Sequence, residues 1–584
     1  MGLFNSIKFF VLCHGMLQLA QLLVSGYLKG SISTIERRYG LSSQKSGVLA
    51  SFNEVGNTVL IVFVSYFGSR LHRPRCIGIG AIIASMAAFL IALPHFISGK
   101  YQYTDDHVSG LCQEVSNHQA ASSNQTCSEV KSHANNAVFP ILLLGQLLLG
   151  VGGVPIQPFG ISYIDDYANK KNSPFYLGIL FALTVIGPAL GYLLGSILLR
   201  FYVDFNTMSP EEIVLKRTDP RWVGAWWLGF LLAGTLLFLT SLPYLFFPRS
   251  MITEVRLQRH SHALFNEFFT VACSMCSMAI LRRLNYKKYA THGLSLLQFL
   301  KKFPHIMLRT LRNPIYLLVV LAQVNLAAMV AGLATFMPKY IERQFSQTAS
   351  FSNIMIGGLS IPCAMLGIMT GGMILRRFNL SVKASAMLCS GAVLLAITFA
   401  LPLLFLGCPT QNIAGINPTN SERYLNCSST CSCSDEAFNP VCGSDDVEFR
   451  SPCHAGCKTA TYGSLNYTDC ACVGPAGSRG YAVPGTCGNN CAHLLVPFMI
   501  FSSLTCFLAS LSQTPSFMMI LRTVTPEDKS FALGIQFMLF RVLAFLPAPV
   551  LYGSAIDSTC ILWGKKCKKN TSCQYYNLDY FRQR

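Results

Sequence analysis

Four ionisable side chains lie within or next to long apolar stretches of the sequence, and we take them as candidate substrate-binding residues. Arg541 has apolar residues on both sides, Glu54 lies inside another stretch, Lys29 follows a third, and His95 is close to the end of a fourth. A charge in the hydrocarbon of a bilayer costs about 2.5–3.5 kcal/mol and usually faces a wet or protein-lined interior. Arginine and lysine could bind an anion there, and a protonated histidine could attract one. The alternative for Arg541 is an ion pair with Glu54 that only stabilises the fold.

Motifs for enzymatic chemistry are absent from the sequence. It contains no P-loop, no G-x-S-x-G, no H-E-x-x-H and no dinucleotide-binding fingerprint. We therefore expect no enzyme activity, no cofactor, no bound metal, and no ATP hydrolysis within the chain.

The composition is that of a membrane protein. Hydrophobic residues make up 52% of the chain and charged residues only 12%, whereas a soluble domain carries about 25% charged residues. The net charge is +19, but the basic residues fall in short segments between apolar runs. This distribution argues against nucleic-acid binding and favours a bilayer as partner and an anion as cargo.

Eleven stretches are long and apolar enough to cross a bilayer, which predicts an all-α polytopic protein. The predicted spans are Ile7–Leu28, Gly47–Phe67, Cys76–Ile97, Ala137–Ile164, Tyr176–Leu199, 219–247, Ile315–Met337, Asn353–Leu375, Ala384–Gly407, Leu494–Leu521 and Phe531–Ile556. The expected domains are 1–247 (six spans), 248–314 (a basic connector), 315–407 (three spans), 408–492 (a cysteine-rich insert), 493–556 (two spans) and 557–584 (a final loop). Ala263–Leu281, an apolar part of the connector, is expected to lie on the membrane surface or to be buried rather than to cross it.

Basic residues, cysteines and glycosylation sequons all predict the same orientation of the chain in the membrane. The connector holds eleven arginines and lysines against two glutamates, which places it and the N-terminus in the cytoplasm. The loops at 98–136, 408–492 and 557–584 are then outside. They contain sixteen of the 23 cysteines and the sequons at Asn124, Asn426, Asn466 and Asn570. Disulfides and N-glycans both form on the lumenal side of the membrane, which becomes the outer side of the plasma membrane.

The insert is expected to be held together by disulfides. Its eleven cysteines are Cys408, Cys427, Cys431, Cys433, Cys442, Cys453, Cys457, Cys470, Cys472, Cys487 and Cys491; the final loop adds Cys560, Cys567 and Cys573, and the first outer loop adds Cys112 and Cys127. Because eleven is odd, we predict at least one disulfide between the insert and the final loop. Zinc binding by the two Cys-x-Cys pairs is the alternative, disfavoured by the one-residue spacer and the oxidising compartment. The segment from Asn439 to Asp445, with the two cysteines that follow it, resembles a Kazal-type inhibitor module.

Three of the four tryptophans fall within thirteen residues at the start of the sixth predicted span. The defining residues are Asp219, Arg221, Trp222, Gly224, Trp226 and Trp227. Tryptophans at such a position are typical anchors at the membrane–water interface. The stretch also resembles, at every defined position, the signature D-x-R-W-[IV]-G-A-W-W-x-G-[FL]-L of the organic-anion-transporting polypeptides. Other segments resemble the second subfamily, in particular its steroid-sulfate-transporting type.

This resemblance implies a major facilitator-type fold, in which two six-helix halves rock about a central site. It implies sodium- and ATP-independent exchange of amphipathic organic anions such as steroid sulfates, prostanoids and drugs, against a counter-anion such as bicarbonate or glutathione. Arg541 matches a family arginine implicated in substrate handling. Lys29 matches a second basic position, although it is expected at a helix end. The resemblance also implies stimulation by low external pH through His95, with His14 as a weaker second site.

Three features depart from the family pattern or leave the function open. The arginine and glutamate expected in the fourth span are replaced by Leu149 and Gly153, which weakens the positive field of the first half. The family has twelve spans, so a twelfth is expected to be missing here. The alternatives to an exchanger are a surface binding or protease-inhibitor protein acting through the Kazal-like insert, and a channel.

Overall fold

The computed structural model describes residues 3–251 and 308–583, with internal gaps. The gaps are 68–70, 102–110, 113–128, 169–172, 210–212, 214, 216, 218, 310, 379, 416–430, 432, 434–437, 461–465, 475–478, 488–490, 524–528 and 567–568. The apolar segment 263–281, Cys127, Cys427, Cys567 and the sequons at Asn124 and Asn426 lie outside the described residues.

Helices dominate both halves of the chain. The first half contains α1 (Ile7–Tyr39), α2 (Ser43–Ser51), α3 (Asn53–Phe67), α4 (Arg73–Ile97), α5 (Glu129–Gly153), α6 (Ile156–Tyr167), α7 (Ser173–Leu198) and α8 (Trp226–Ser241). The second half contains α9 (Pro314–Gln344), α10 (Ala349–Met355), α11 (Ile361–Phe378), α12 (Val382–Ala400), α13 (Leu495–Leu511), α14 (Gln513–Thr523), α15 (Lys529–Phe540) and α16 (Pro547–Asp557).

Each predicted span contains helix, although several are divided and residues 219–225 of the sixth are not helical. Nine helical stretches of the described chain are long and apolar enough to cross a membrane, and Leu183–Leu198 is a shorter apolar helix. The second predicted span is divided at Phe52, and the fourth is divided at Pro155, which has no backbone N–H to continue the helix. In the eighth and eleventh spans the division is a π-helical turn, at Ile356–Ser360 and at Arg541–Phe545. Such turns are frequent at functional sites.

Helix α1 is longer than its predicted span, and this moves Lys29. The helix continues for 33 residues and ends only at Gly40, whose φ of 63° closes it in the left-handed conformation. Lys29 therefore lies in the helix interior, and its expected position at a helix end is wrong. Hydropathy decreases after Leu28 because the helix becomes polar there, not because it stops.

Two of the three tryptophans of the signature are buried in protein, and Trp222 is half-buried. Trp226 is 0% exposed and Trp227 is 5% exposed, within the hydrophobic core of the first half. Trp222 and Trp227 donate their indole N–H groups to the carbonyl oxygens of Leu199 and Val203, at 3.1 and 2.9 Å. The signature thus fastens the start of α8 to the segment that follows α7.

The insert and the final loop each form a small antiparallel sheet. In the insert, β1 (Val441–Gly443), β2 (Glu448–Phe449), β3 (Cys457–Ala460), β4 (Tyr467–Cys470) and β5 (Gly480–Pro484) are arranged in the order β2-β1-β5-β4-β3. In the final loop, β6 (Cys560–Lys566) and β7 (Lys569–Tyr576) form a hairpin followed by α17 (Leu578–Gln583). We call the end of the helical bundle next to these sheets the insert end.

Disulfides hold the insert, but one pairing differs from expectation. The described pairs are Cys112–Cys431, Cys408–Cys491, Cys433–Cys453, Cys442–Cys487, Cys457–Cys470 and Cys560–Cys573. Cys560 and Cys573 thus bond to each other, so the predicted bond to the insert is wrong for both. The insert is linked to the first outer loop by Cys112–Cys431. Cys567, the third cysteine of the final loop, lies outside the described residues, so a bond from it to the insert stays a prediction. All four cysteines of the zinc alternative are disulfide-bonded, including Cys472, which leaves no thiolate for a metal.

Candidate functional site

A cluster of three charged side chains lies between the two halves of the helical bundle. Arg541 begins the π-helical turn of the last span, and its Nη1 is 3.1 Å from Glu54 Oε2 in α3. The side chains of Arg541 and Glu54 are 23% and 20% exposed. Lys29 and Glu54 line one small cavity of about 40 Å³ together with Thr335 and Phe545. The structure therefore brings together three of the four predicted binding residues.

The charges of this cluster do not cancel. Two cations face one carboxylate, and no described residue other than Glu54 forms an ion pair with Arg541 or Lys29. An excess positive charge of this kind attracts an anion. The ion pair proposed as the alternative for Arg541 does form, so an anion that binds Arg541 in this conformation must compete with Glu54.

His95 is not part of this cluster. Its ring is 6% exposed and stacks on Trp227, with ring centroids 4.4 Å apart and an interplanar angle of 8°. Its Nδ1 lies 4.0 Å from Asp204 Oδ1. The predicted histidine is thus covered by the signature helix and faces a carboxylate that the sequence did not single out.

His14 lies deeper in the first half. It is 0% exposed, its Nδ1 is 3.1 Å from the hydroxyl of Tyr244, and its ring packs against Gly160. These contacts pack His14 against residues of the first half, and none of them is with a residue of the Arg541 cluster.

Two ion pairs, one buried and one partly buried, join the halves at the insert end, and the sequence did not reveal them. Lys339 binds Glu36, and both side chains are no more than 4% exposed. Arg37 binds Glu342, which also accepts a hydrogen bond of 3.0 Å from the hydroxyl of Ser33. All lie in the polar extensions of α1 and α9 beyond their predicted ends, so correct helix ends would have placed them. We call these two pairs the gate.

Backbone contacts between α2 and α16 reinforce the gate. The carboxylate of Asp557 accepts hydrogen bonds of 2.9 Å from the backbone N–H groups of both Ser43 and Gln44 at the start of α2. A Cβ on Gly553 would overlap the carbonyl oxygen of Ser43, and a Cβ on Gly47 would overlap that of Pro549. The two helices therefore pack with their backbones in contact, as small residues allow in membranes.

Most of the other described polar contacts between the halves lie toward the insert end: besides the gate and Asp557, Arg200 Nε donates to Ser350 Oγ at 3.1 Å. Two contacts lie at the level of the central cluster. Asn353 Nδ2 donates to the carbonyl of Gly30, next to Lys29, at 3.0 Å, and the Tyr192 hydroxyl donates to the carbonyl of Ala334, next to Thr335, at 2.5 Å. The bundle is thus closed at the insert end, and the charged cluster lies beneath the closure.

The sequence matches a known family along almost its whole length. Residues 9–581 match the Organic Anion Transporter Polypeptide (OATP) family. The chain belongs to this family. It is 49% identical over 611 residues to solute carrier organic anion transporter family member 2B1 of Homo sapiens, covering 100% of this chain and 86% of the relative. It is 33% identical over 610 residues to member 1C1 of Homo sapiens, covering 99% of this chain and 84% of that relative.

Solved structures show the fold that this OATP chain shares with other transporters. A bacterial homologue of the human lysosomal transporter Spinster, inward-facing and unoccupied, matches with a TM-score of 0.55 at 13% identity, covering 95% of this chain and 83% of that one. The nucleoside transporter NupG matches with a TM-score of 0.51 at 10% identity, covering 98% and 95%. The fold is therefore the major facilitator type, and this chain is a multi-pass membrane transporter of organic anions.

In this OATP chain, the two residues that depart from the family pattern, Leu149 and Gly153, are both closely packed. Leu149 is 6% exposed in the core of the first half, and a Cβ on Gly153 would meet the side-chain nitrogen of Gln21. Neither position contributes a charge to the space between the halves. The positive charge there comes from Lys29 and Arg541.

Proposed function

We propose that this chain carries amphipathic organic anions, steroid sulfates in particular, across the plasma membrane by alternating access and without sodium or ATP. The observation that carries the proposal is the unequal cluster of Arg541, Lys29 and Glu54 between the halves. The 49% identity to member 2B1 supports the substrate class, and the absence of a P-loop from the sequence supports independence from ATP.

The anion binds by displacing the carboxylate of Glu54 from Arg541. The guanidinium then donates to a sulfate or carboxylate of the substrate, in the bidentate geometry that arginine forms with such groups. Lys29 adds a second positive charge next to it, and Phe545 offers an apolar surface for the rest of the molecule. Release of the anion restores the Arg541–Glu54 pair, which offsets the cost of leaving the arginine without a partner.

Access from each side follows from opening and closing the gate. The Glu36–Lys339 and Arg37–Glu342 pairs close the insert end, and separating the halves there exposes all four charges to water. Solvation then replaces the ion pairs, so the two states can differ little in free energy. After release of the substrate, the positively charged site returns across the membrane with a counter-anion such as bicarbonate or glutathione bound. Because the counter-anion neutralises the site during this step, transport is an exchange.

Low external pH stimulates this transport through His95. Protonation turns the contact between His95 and Asp204 into an ion pair beneath the signature tryptophans, at the insert end. The added charge favours an anion at that end.

The insert end is extracellular in this proposal, with the N-terminus in the cytoplasm. The six described disulfides support an oxidising compartment for the insert, and Asn466 and the exposed Asn570 are available there for glycosylation. The insert stabilises the loops around the entrance. A Kazal-like inhibitor acting alone would not need the link between Cys112 and Cys431 that joins the insert to the first half.

The test is uptake of tritiated estrone sulfate into cells that express the chain. Saturable uptake that is independent of sodium, that increases when a second organic anion is loaded inside, and that is lost in Arg541→Ala supports the exchanger. Uptake that does not saturate points to a channel, and no uptake despite normal surface amounts contradicts the proposal.

A further inference from the structure

A second, larger cavity lies at the insert end, on the far side of the gate from the central cluster. Its volume is about 340 Å³. Its walls come from the ends of α1, α7 and α9, from the signature, from the insert and from the terminal hairpin, so it exists only when all these parts are assembled. Arg37 and Glu342 of the gate form part of its wall.

Arginines outnumber carboxylates in the wall of this cavity. Arg37, Arg200, Arg217 and Arg343 line it against Asp219 and Glu342, an excess of two positive charges. Both carboxylates are already paired: Asp219 Oδ2 lies 2.9 Å from Arg221 Nη2, and Glu342 binds Arg37.

The remaining three arginines have no carboxylate partner among the described residues. Arg200 is held in place by its 3.1 Å hydrogen bond to Ser350, and Arg343 stands over the ring of Tyr576 at 5.9 Å. Arg217 is exposed. Arg200 is exposed as well. Guanidinium groups that lack an acid partner have N–H donors available for an anion.

Beside uncharged polar side chains such as Thr34, Gln347 and Gln411, the rest of the wall has an apolar and aromatic part. It includes Leu199, Trp222, Ile354, Phe438 and Tyr575. Ligand pockets of about 300–1,000 Å³ typically combine such surfaces with a few convergent polar groups. A small inorganic anion would use only the arginines, whereas an amphipathic anion would use both kinds of surface.

We propose that this cavity is a second binding site for amphipathic organic anions, filled from outside while the gate is closed. The choice of substrate class rests on the proposed function. An anion bound here competes with Glu342 for Arg37, which couples filling of the cavity to opening of the gate. The site therefore concentrates the substrate at the entrance and weakens the closure beneath it.

Equilibrium binding of tritiated estrone sulfate to the full chain in lipid nanodiscs tests this proposal without requiring transport. We expect two molecules bound per chain. Arg541→Ala removes one of them. The double variant Arg200→Gln/Arg343→Gln lowers the affinity for the other molecule by about tenfold or more, because each lost hydrogen bond from a charged guanidinium lowers affinity by about that factor.

Two further variants keep the test independent of folding. Arg217→Gln removes an exposed side chain with no described hydrogen bond, and should weaken the same molecule by about threefold at low salt and less at high salt. Arg479→Gln, an exposed arginine of the insert that lies outside the cavity and pairs with Asp469, is the matched control and should change neither site.

A single bound molecule that Arg541→Ala removes and the cavity variants leave unchanged would overturn the proposal, as would an equal loss in the control. Flux into proteoliposomes separates the two proposals. Two bound molecules without flux would support the second site and contradict the proposed function. Flux with only one bound molecule would support the proposed function and contradict the second site.

Discussion

The Nη1 atom of Arg541 lies 3.1 Å from the Oε2 atom of Glu54, although the two residues are 487 positions apart and belong to different halves of the bundle. The cation that the sequence marks for anion binding is thus already paired in this conformation. In the proposed function the substrate takes the place of Glu54 on Arg541, and this exchange of partners makes the two residues experimentally separable.

Changing each member of this pair should have opposite effects on transport. Arg541→Ala removes charged hydrogen bonds to the substrate and should lower uptake of estrone sulfate by about tenfold or more. Glu54→Gln removes the competing carboxylate and should lower the KM. Uptake kinetics, normalised to the amount at the cell surface, measure both. A purely structural pair would instead give an equal loss of thermal stability in the two variants and the same KM.

Gly553→Ala should abolish the closed insert end, because the added methyl group overlaps the carbonyl oxygen of Ser43. Uptake should then be lost while binding of estrone sulfate persists. The matched control is Gly534→Ala in the same span, where a Cβ has nothing within 4 Å and uptake should be unchanged. Equal activity of the two alanine variants would show that the backbone contact between α2 and α16 is not needed for the transport cycle.

The stability of the insert should depend on the ionisation of Glu448. This side chain is 0% exposed and accepts hydrogen bonds of 2.5 Å from the Tyr575 hydroxyl and 3.3 Å from the Cys487 N–H. Burial raises the pKa of Glu448 from 4.5 to about 7. The folded state therefore binds this proton more tightly than the unfolded state, and the stabilisation, on the order of 3 kcal/mol, is complete below pH 4.5 and lost as the pH rises through about 7.

Glu448→Gln keeps the shape of this side chain and removes its ionisation. We expect wild type to unfold at a lower temperature at about pH 8 than at about pH 5.5, and the variant to show a smaller difference. Asp446→Asn, an exposed acid two residues away, is the control and should follow wild type. An identical pH dependence in wild type and Glu448→Gln would contradict a buried, titrating carboxylate between the insert and the hairpin.

His95→Gln should remove the stimulation of uptake by low external pH and leave uptake at neutral pH nearly unchanged. Glutamine preserves a polar group near Asp204 but cannot take up a proton. Uptake is measured at two external pH values in wild type, His95→Gln and Glu448→Gln. Acid stimulation that survives the histidine change but disappears in Glu448→Gln would assign the effect to the insert instead.

The sequence predicted the helical spans and the charged residues within them, because both depend on local signals. Long apolar runs mark the spans, and a charge such as Arg541 inside one is conspicuous. The predicted position of Lys29 was wrong because hydropathy marks the end of an apolar stretch, whereas α1 continues beyond that point as a polar helix. In this fold the polar continuation of α1 packs against α9 and forms the gate.

Contacts between distant segments could not be predicted in the same way. The link between Cys112 and Cys431 spans 319 residues, and the parity of the cysteines indicated only that the insert needs a partner outside itself. The tryptophans of the signature show the same limit. Their order along the chain fits an interfacial anchor, and only the segment that follows α7, which accepts hydrogen bonds from Trp222 and Trp227, reveals their packing.

Uptake of tritiated estrone sulfate into proteoliposomes that contain only the purified chain tests the central claim most directly. We predict saturable uptake without sodium or ATP that increases when unlabelled anion is loaded inside, and at least about a tenfold loss in Arg541→Ala. Absence of uptake in correctly folded wild type, or equal uptake in wild type and Arg541→Ala, would contradict an anion site built on the charges between the two halves.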